Sequence, residues 1–238
     1  MLREPGAANA FARGLTGLEA RLRFRQQMGG ARLPRDLAER ILDLLEVPEG
    51  QGQGEGRDED LEAVARDLAG CTRCGLHRTR KTIVTGEGNP RARLVFVGEG
   101  PGEEEDLQGR PFVGAAGQLL NKIIEAMGFQ REEVFIANVV KCRPPSNRTP
   151  KPDEVSACRS FLVRQLKALS PQVICAMGAV AAQALLHTGE GISRLRGRFH
   201  QWEGIPLMPT YHPSYLLRNP ERKRDVWEDM KQVMALLK

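Results

Sequence analysis

The chain has 238 residues, of which 41% are hydrophobic and 27% charged, with 35 Lys+Arg against 30 Asp+Glu and a net charge of +5. This composition excludes a mostly disordered or collagen-like chain, and the length suits one α/β domain, alone or with an appendage. No apolar run reaches about 18 residues, so no membrane span is expected; the N-terminal MLREPGAANAFARG lacks the apolar core of a secretory signal, which points to the cytoplasm. The mild basic excess hints at nucleic acid, although many enzymes that never touch DNA share it.

Residues 1–48 read as a small helical extension broken at Gly29-Gly30. Leu15, Leu18 and Leu22 share one face of its first helix, and Leu37, Ile41, Leu44 and Leu45 one face of its second. Arg21, Arg23 and Arg25 give a solvated basic surface, open to a protein or DNA contact. Over 49–58, glycine alternates with polar residues, as in a flexible linker. The main domain is expected over 59–238.

Within that domain, short apolar strands alternate with helical patterns. Strands are expected at Leu94–Gly98, Val134–Val140, Val173–Met177 and Ile205–Thr210. Helices are expected at Gly114–Met127, Pro152–Leu169, Ala179–Leu186 and Arg222–Leu237. The alternation predicts an α/β fold: a mainly parallel four-stranded sheet covered on both faces, a three-layer α/β/α sandwich. In such sheets ligands sit beyond the C-terminal strand ends, so motifs that follow strands carry the most weight.

Five cysteines in a reducing compartment suit metal ligation or a core better than disulfides. Cys71 and Cys74 form a C-x2-C pair in CTRC, Cys142 follows the second strand, and Cys158 lies sixteen residues further on a helix. A tight turn brings the paired sulfurs to one side, and two distant cysteines complete four-fold sulfur ligation. Spacing alone does not separate zinc from an iron–sulfur cluster. Cys175, inside VICAMG, reads as a core thiol. Arg73, Arg78, Arg80, Lys81, Lys141, Arg143, Arg148 and Lys151 surround the ligating cysteines in sequence, either as a phosphate-facing shell or as solvated surface.

The first strand runs into VGEGPGEEEDLQGRPFVGAAGQLL. Gly98, Gly100 and Gly102 flank Pro101, so the backbone there turns sharply or approaches something closely. The order matches neither a dinucleotide fingerprint nor a P-loop. The acids from Glu99 to Asp106 read as a solvated or metal-binding loop. Asn138 ends the second strand as a polar residue in an apolar run, so it either satisfies local backbone or reads a ligand. After the fourth strand, His212-Pro213 leads into a basic stretch at Arg218, Arg222, Lys223 and Arg224, with Tyr211 and Tyr215 nearby, a mixture that suits a nucleic-acid groove.

GEGPGEEEDLQGRPFVGAAGQLL, ANVVKC and HPSYLLR together resemble the family 4 uracil-DNA glycosylases, the thermostable iron–sulfur type. The resemblance covers roughly residues 60–238 by motif order and spacing; the N-terminal extension lies outside it. It implies a monofunctional DNA-repair hydrolase that flips uracil out of single- or double-stranded DNA and leaves an abasic site, working as a monomer. It also implies a [4Fe–4S] cluster on Cys71, Cys74, Cys142 and Cys158, in place of zinc. By the same resemblance Phe112 stacks on the base, Asn138 pairs with its Watson–Crick edge, and Glu105 crowds the C5 side against a thymine methyl. His212 donates to uracil O2, and backbone N–H groups of Gly98, Gly100 and Gly102 help hold the base. Gly100 occupies the place where another family carries an Asp for water attack, which leaves a dissociative path with Glu99 positioning water or sugar. Ser214, Leu217 and Arg218 contact DNA, and Leu216 is expected to enter the minor groove with them. A branch that traps its own histidine carries GEQPG and a KRRIH insert; this chain has GEGPG and RLRGRFHQW instead. A different iron–sulfur branch has an uncharged residue at the position of Glu99. The alternative function is a non-catalytic binder of uracil or abasic DNA on the same fold.

Overall fold

The structure, a computed structural model, describes residues 59–238. The helical extension expected over 1–48 and the linker over 49–58 lie outside the described residues. Eight α-helices occur among the described residues: α1 Leu61–Leu68, α2 Glu103–Gln108, α3 Ala115–Ala126, α4 Pro152–Leu169, α5 Ala179–Leu186, α6 Ile192–Leu195, α7 Pro213–Arg218 and α8 Lys223–Leu237. The strands are β1 Glu87–Gly88, β2 Leu94–Gly98, β3 Phe135–Asn138, β4 Val173–Met177, β5 His200–Trp202 and β6 Ile205–Thr210.

The sheet order is β1-β3-β2-β4-β6-β5. The four central strands, β3, β2, β4 and β6, are parallel neighbours, in register from Gly98 opposite Asn138 to Met177 opposite Thr210. They are the four strands legible in the sequence. The expected four-stranded sheet is therefore extended by two edge strands, β1 and β5, both antiparallel to their neighbours. Two or three residues each are too few for a periodic signal, and both pair only because a longer strand is already in place.

Side-chain alternation along the strands divides the core in two. Val95, Val97, Ala137, Ile174, Ala176 and Leu207 point to one face, under α1, α4 and α5. Leu94, Phe96, Ile136, Cys175 and Met208 point to the other, under α3 and α8. This is the expected three-layer sandwich. Cys175 is fully buried, and burial pushes its thiol far above its ordinary range, as a core residue requires.

Helix starts follow local chemistry. Asp60 caps α1 by accepting from the Ala63 N–H at 2.7 Å. Pro152 opens α4, and the Glu154 carboxylate accepts from the Lys151 N–H at 2.7 Å. The acidic stretch expected as a loop is instead helix α2. Its four acids fall in the first turn, where the helix dipole favours negative charge. Six residues carry too little periodicity to reveal it.

In the parallel core the chain leaves β2 toward β3 and leaves β4 toward β6, on opposite sides. The switch point lies between β2 and β4, where a ligand crevice is expected beyond the strand ends.

Candidate active site and cysteine centre

A cavity of about 520 Å³ opens at that switch point, within the roughly 300–1,000 Å³ range of small-molecule sites. Every parallel strand contributes to its wall. Glu99, Gly100, Pro101 and Gly102 follow β2; Asn138 ends β3; Gly178 and Ala179 follow β4; Tyr211, His212 and Ser214 follow β6. Glu105 from α2, Phe112, and Arg218 from α7 complete it.

Asn138 is 1% exposed, and among the described residues its Oδ1 is the one buried side-chain polar atom without a hydrogen-bond partner. A buried acceptor left without a donor is destabilising, commonly by 1–3 kcal/mol, so the atom is set for a ligand. Its neighbour across the sheet is Gly98. A Cβ there would stand 2.5 Å from both Asn138 Oδ1 and the Phe112 ring, so only glycine lets the amide and the ring close on the same wall. The glycine motif thus serves close approach; none of Gly98, Gly100 and Gly102 has a left-handed backbone.

His212 caps α7. Its Nδ1 accepts from the Ser214 N–H at 3.1 Å and lies 2.7 Å from Ser214 Oγ. A backbone N–H can only donate, so the neutral ring carries its proton on Nε2. Burial lowers the His212 pKa from 6.5 to about 4, so the ring is neutral at physiological pH. The His212 and Phe112 ring centres are 5.6 Å apart. Burial also raises the pKa of Glu99 on the cavity wall.

Glu105 is more occupied than its sequence position suggests. Oε1 accepts from the Val113 and Gly114 N–H groups, both at 2.9 Å, and Oε2 accepts from Gly102 N–H at 3.0 Å. Leu217 is 47% exposed and lies outside the cavity wall. Leu216 does not join it at the surface: α7 turns Leu216 into the core at 1% exposure, which removes it from the groove-entering group.

Packed with the core under α1, α4 and α5, Cys71, Cys74, Cys142 and Cys158 line one small cavity with Arg73, Arg80 and Lys141. Cys71 follows α1, Cys74 precedes a short turn, Cys142 lies four residues beyond Asn138, and Cys158 rides on α4. Arg80 Nη1 donates to Cys71 O at 2.6 Å and to Cys142 Sγ at 3.3 Å. The Lys141 N–H donates to Cys158 Sγ at 3.3 Å. Burial raises the Cys142 pKa and pushes Cys158 up to about 11, so as free thiols both stay protonated. The basic shell read from the sequence therefore divides. Arg80 faces sulfur, the buried Lys141 ammonium donates instead to Gln165 Oε1 at 2.5 Å, and Arg148, on the wall of the other cavity, pairs with Glu154 through two bonds of 2.7 and 2.8 Å.

Comparison with known proteins decides the family. Residues 85–231 match the model of the uracil DNA glycosylase superfamily. A type-4 uracil-DNA glycosylase of Thermotoga maritima is 48% identical over 76% of this chain and 97% of its own length. One from Archaeoglobus fulgidus is 42% identical over 75% and 94%. The chain belongs to the uracil-DNA glycosylase superfamily, in its type-4 branch. A type-5 relative from Pyrobaculum aerophilum matches less well, at 32% over 57% of this chain.

In this glycosylase domain the sequence located Glu99, Gly100, Gly102, Glu105, Phe112, Asn138, His212, Ser214 and Arg218 on one cavity, with Gly98 packed behind it. It missed Pro144, Asn147, Ile192 and Ser193, which also line the wall. Pro-Ser-Asn at 145–147 is a turn signal that could have marked the first two. Ile192 and Ser193 arrive on α6, whose four residues carry no motif.

Proposed function

We propose that this domain excises uracil from DNA by cleaving the N-glycosidic bond, leaving an abasic site for repair. The observation that carries the reading is the buried, unpartnered Asn138 Oδ1 facing a cavity that also holds a neutral histidine and an aromatic wall. An extrahelical base enters, because the bond to be broken is out of reach inside the stack. Phe112 covers its face. Asn138 Oδ1 accepts from uracil N3–H, and its amide nitrogen donates to O4. Cytosine presents the opposite pattern and leaves both groups mismatched.

As the C–N bond breaks, negative charge moves onto the base. His212 Nε2–H donates to O2 and stabilises it, without a proton being lost from the ring. The sugar is left cationic, and nearby phosphates stabilise it. Water adds to the sugar carbon and releases a proton to solvent. Glu99 positions that water or the sugar. Glu105 holds the turn that carries Phe112 and stands on the C5 side, where a thymine methyl would have to fit. Ser214, Leu217 and Arg218 face the DNA strand. The working unit is a monomer acting on chromosomal DNA in the cytosol. A non-catalytic binder would have no use for a histidine kept neutral with its proton toward the base.

The four cysteines fit a [4Fe–4S] cluster held by Cys71, Cys74, Cys142 and Cys158. Four cysteines that line one cavity, two of them as a C-x2-C pair, supply the four thiolates that such a cluster takes, and the type-4 kinship favours it over zinc. Arg80 and the Lys141 N–H supply donors to the sulfurs, as an anionic centre requires. When bound, the cluster ties α1, the loop after β3 and α4 together; no step of the reaction passes through it.

The test is incubation with an oligonucleotide carrying a single uracil, followed by alkali. A strand break at the uracil in both single and paired substrates is expected. Intact strands from both would overturn the reading.

A further inference from the structure

Phe112 is the aromatic wall of the base cavity, yet its backbone lies in the left-handed region, at φ 52°. A bulky side chain rarely adopts that conformation, and it persists only where the surroundings impose it. The restraints come from both sides. After Phe112, the Val113 and Gly114 N–H groups are held by Glu105. Before it, a single side chain from outside the cavity takes the carbonyls. Arg131 Nη1 donates to Phe112 O at 3.2 Å and to Asn121 Oδ1 at 2.8 Å, and its Nη2 donates to Pro111 O. Helix α3 runs so close behind the same carbonyl that a Cβ on Gly117 would lie 2.0 Å from Phe112 O.

Arg131 is itself held. Its Nε donates to Glu87 Oε1 at 3.3 Å, and Glu87 also takes two bonds of 2.7 Å from Arg110, which precedes Pro111. Glu87 lies on edge strand β1, in register with Ile136 of β3. The chain of contacts therefore starts two residues from Asn138 on the same strand and returns to the cavity through Glu87, Arg131 and Phe112. The sheet edge thus fixes the aromatic wall relative to the amide that it must face.

We infer that Arg131, backed by Glu87, is a positioning residue that locks the strained Phe112 turn, so that the ring stands in place before the base arrives. A lysine would not serve, because one ammonium cannot span three oxygens from a planar fork. The inference rests on the glycosylase reading for its consequence in rate, but the lock itself is a property of the free protein.

The experiment compares the full chain with Arg131→Met, Arg131→Lys, Phe112→Ala and the double variant Arg131→Met/Phe112→Ala. Amide hydrogen exchange at Val113 and Gly114 is read without DNA; in Arg131→Met it should quicken by about tenfold. Single-turnover excision by Arg131→Met should slow by about tenfold or more, since small misplacements of a reacting pair are costly, and Arg131→Lys should not restore it. The double variant should be no slower than Phe112→Ala alone, because Arg131 acts only through the ring. Unchanged exchange in Arg131→Met, or losses that multiply in the double variant, would overturn the proposal. If wild-type protein left uracil DNA intact while exchange still quickened, the glycosylase reading would fail and the lock would stand. Should Arg131→Met fail to give a cooperative melt, Glu87→Gln replaces it, with a smaller quickening in the same direction expected and no change counting against the lock.

Discussion

Two centres flank one strand. Asn138 ends β3 in the proposed base cavity beyond the strand ends, and Cys142, four residues later, lines the cysteine cavity, packed with the core under α1, α4 and α5. The base cavity is roomy and set with fixed groups awaiting a partner: an unpaired amide oxygen, a neutral histidine, and an aromatic ring held in a strained turn. The cysteine centre is small, and the sulfurs of Cys142 and Cys158 already receive donors from Arg80 and the Lys141 N–H. On the proposed function, one is organised toward a passing ligand and the other toward a resident one. Among the described residues, strain and an unmet hydrogen bond thus gather in one cavity and not in the other, as is expected of a site kept for chemistry.

Substitutions should separate the two centres. The largest effect on rate is expected from His212→Ala, which removes the donor to the developing charge and should lower single-turnover excision by about a hundred- to a thousand-fold, with little change in melting. The same residue sets a pH response. Its folded pKa, about 4, lies below its unfolded value of 6.5, so on acidification the unfolded chain protonates first. Its stability contribution is intact above pH 6.5 and is lost as the pH falls toward about 4. In a Glu99→Gln background, which removes the cavity acid whose pKa burial raises, the residual excision rate should stay level from neutrality and drop only as that lower value is approached. A drop centred on the ordinary histidine range would show that the ring is not neutral by burial.

Next in size is Gly98→Ala, whose Cβ meets both Asn138 and Phe112. It should reduce excision by roughly a hundred-fold while leaving unaltered the visible absorbance that the proposed cluster gives. Loss of that absorbance would mean that the two centres are coupled through β3. Cys158→Ser reverses the comparison. It should abolish the absorbance and lower unfolding stability by about 3 kcal/mol or more, yet change the rate of the protein that remains folded only a few-fold. The smallest effect is expected from Leu217→Ala, exposed beside the cavity. It should weaken action on paired uracil by a few-fold and leave single-stranded substrate unaffected; equal losses on both would remove its role in opening the helix.

By itself the sequence determined the parallel core. The runs at Leu94–Gly98 and Val173–Met177 are buried throughout and that at Ile205–Thr210 over its last four residues, and their shortness and their alternation with helical patterns read as parallel strands. It also marked the motif residues, because Asn138 and His212 stand out as polar groups at apolar strand ends. Tertiary structure alone decided what has no local signature. The edge strand β1 exists only against β3, and the wall residues of α6 reach the cavity only once the sheet is closed. The acids after Gly102 formed a helix whose Glu105 binds backbone distant in sequence, and Leu216 turned inward while Leu217 stayed out. Arg131, nineteen residues from Phe112, carries no motif at all. Periodicity and composition record what each segment buries. Which distant carbonyl an arginine will hold depends on where folding brings it.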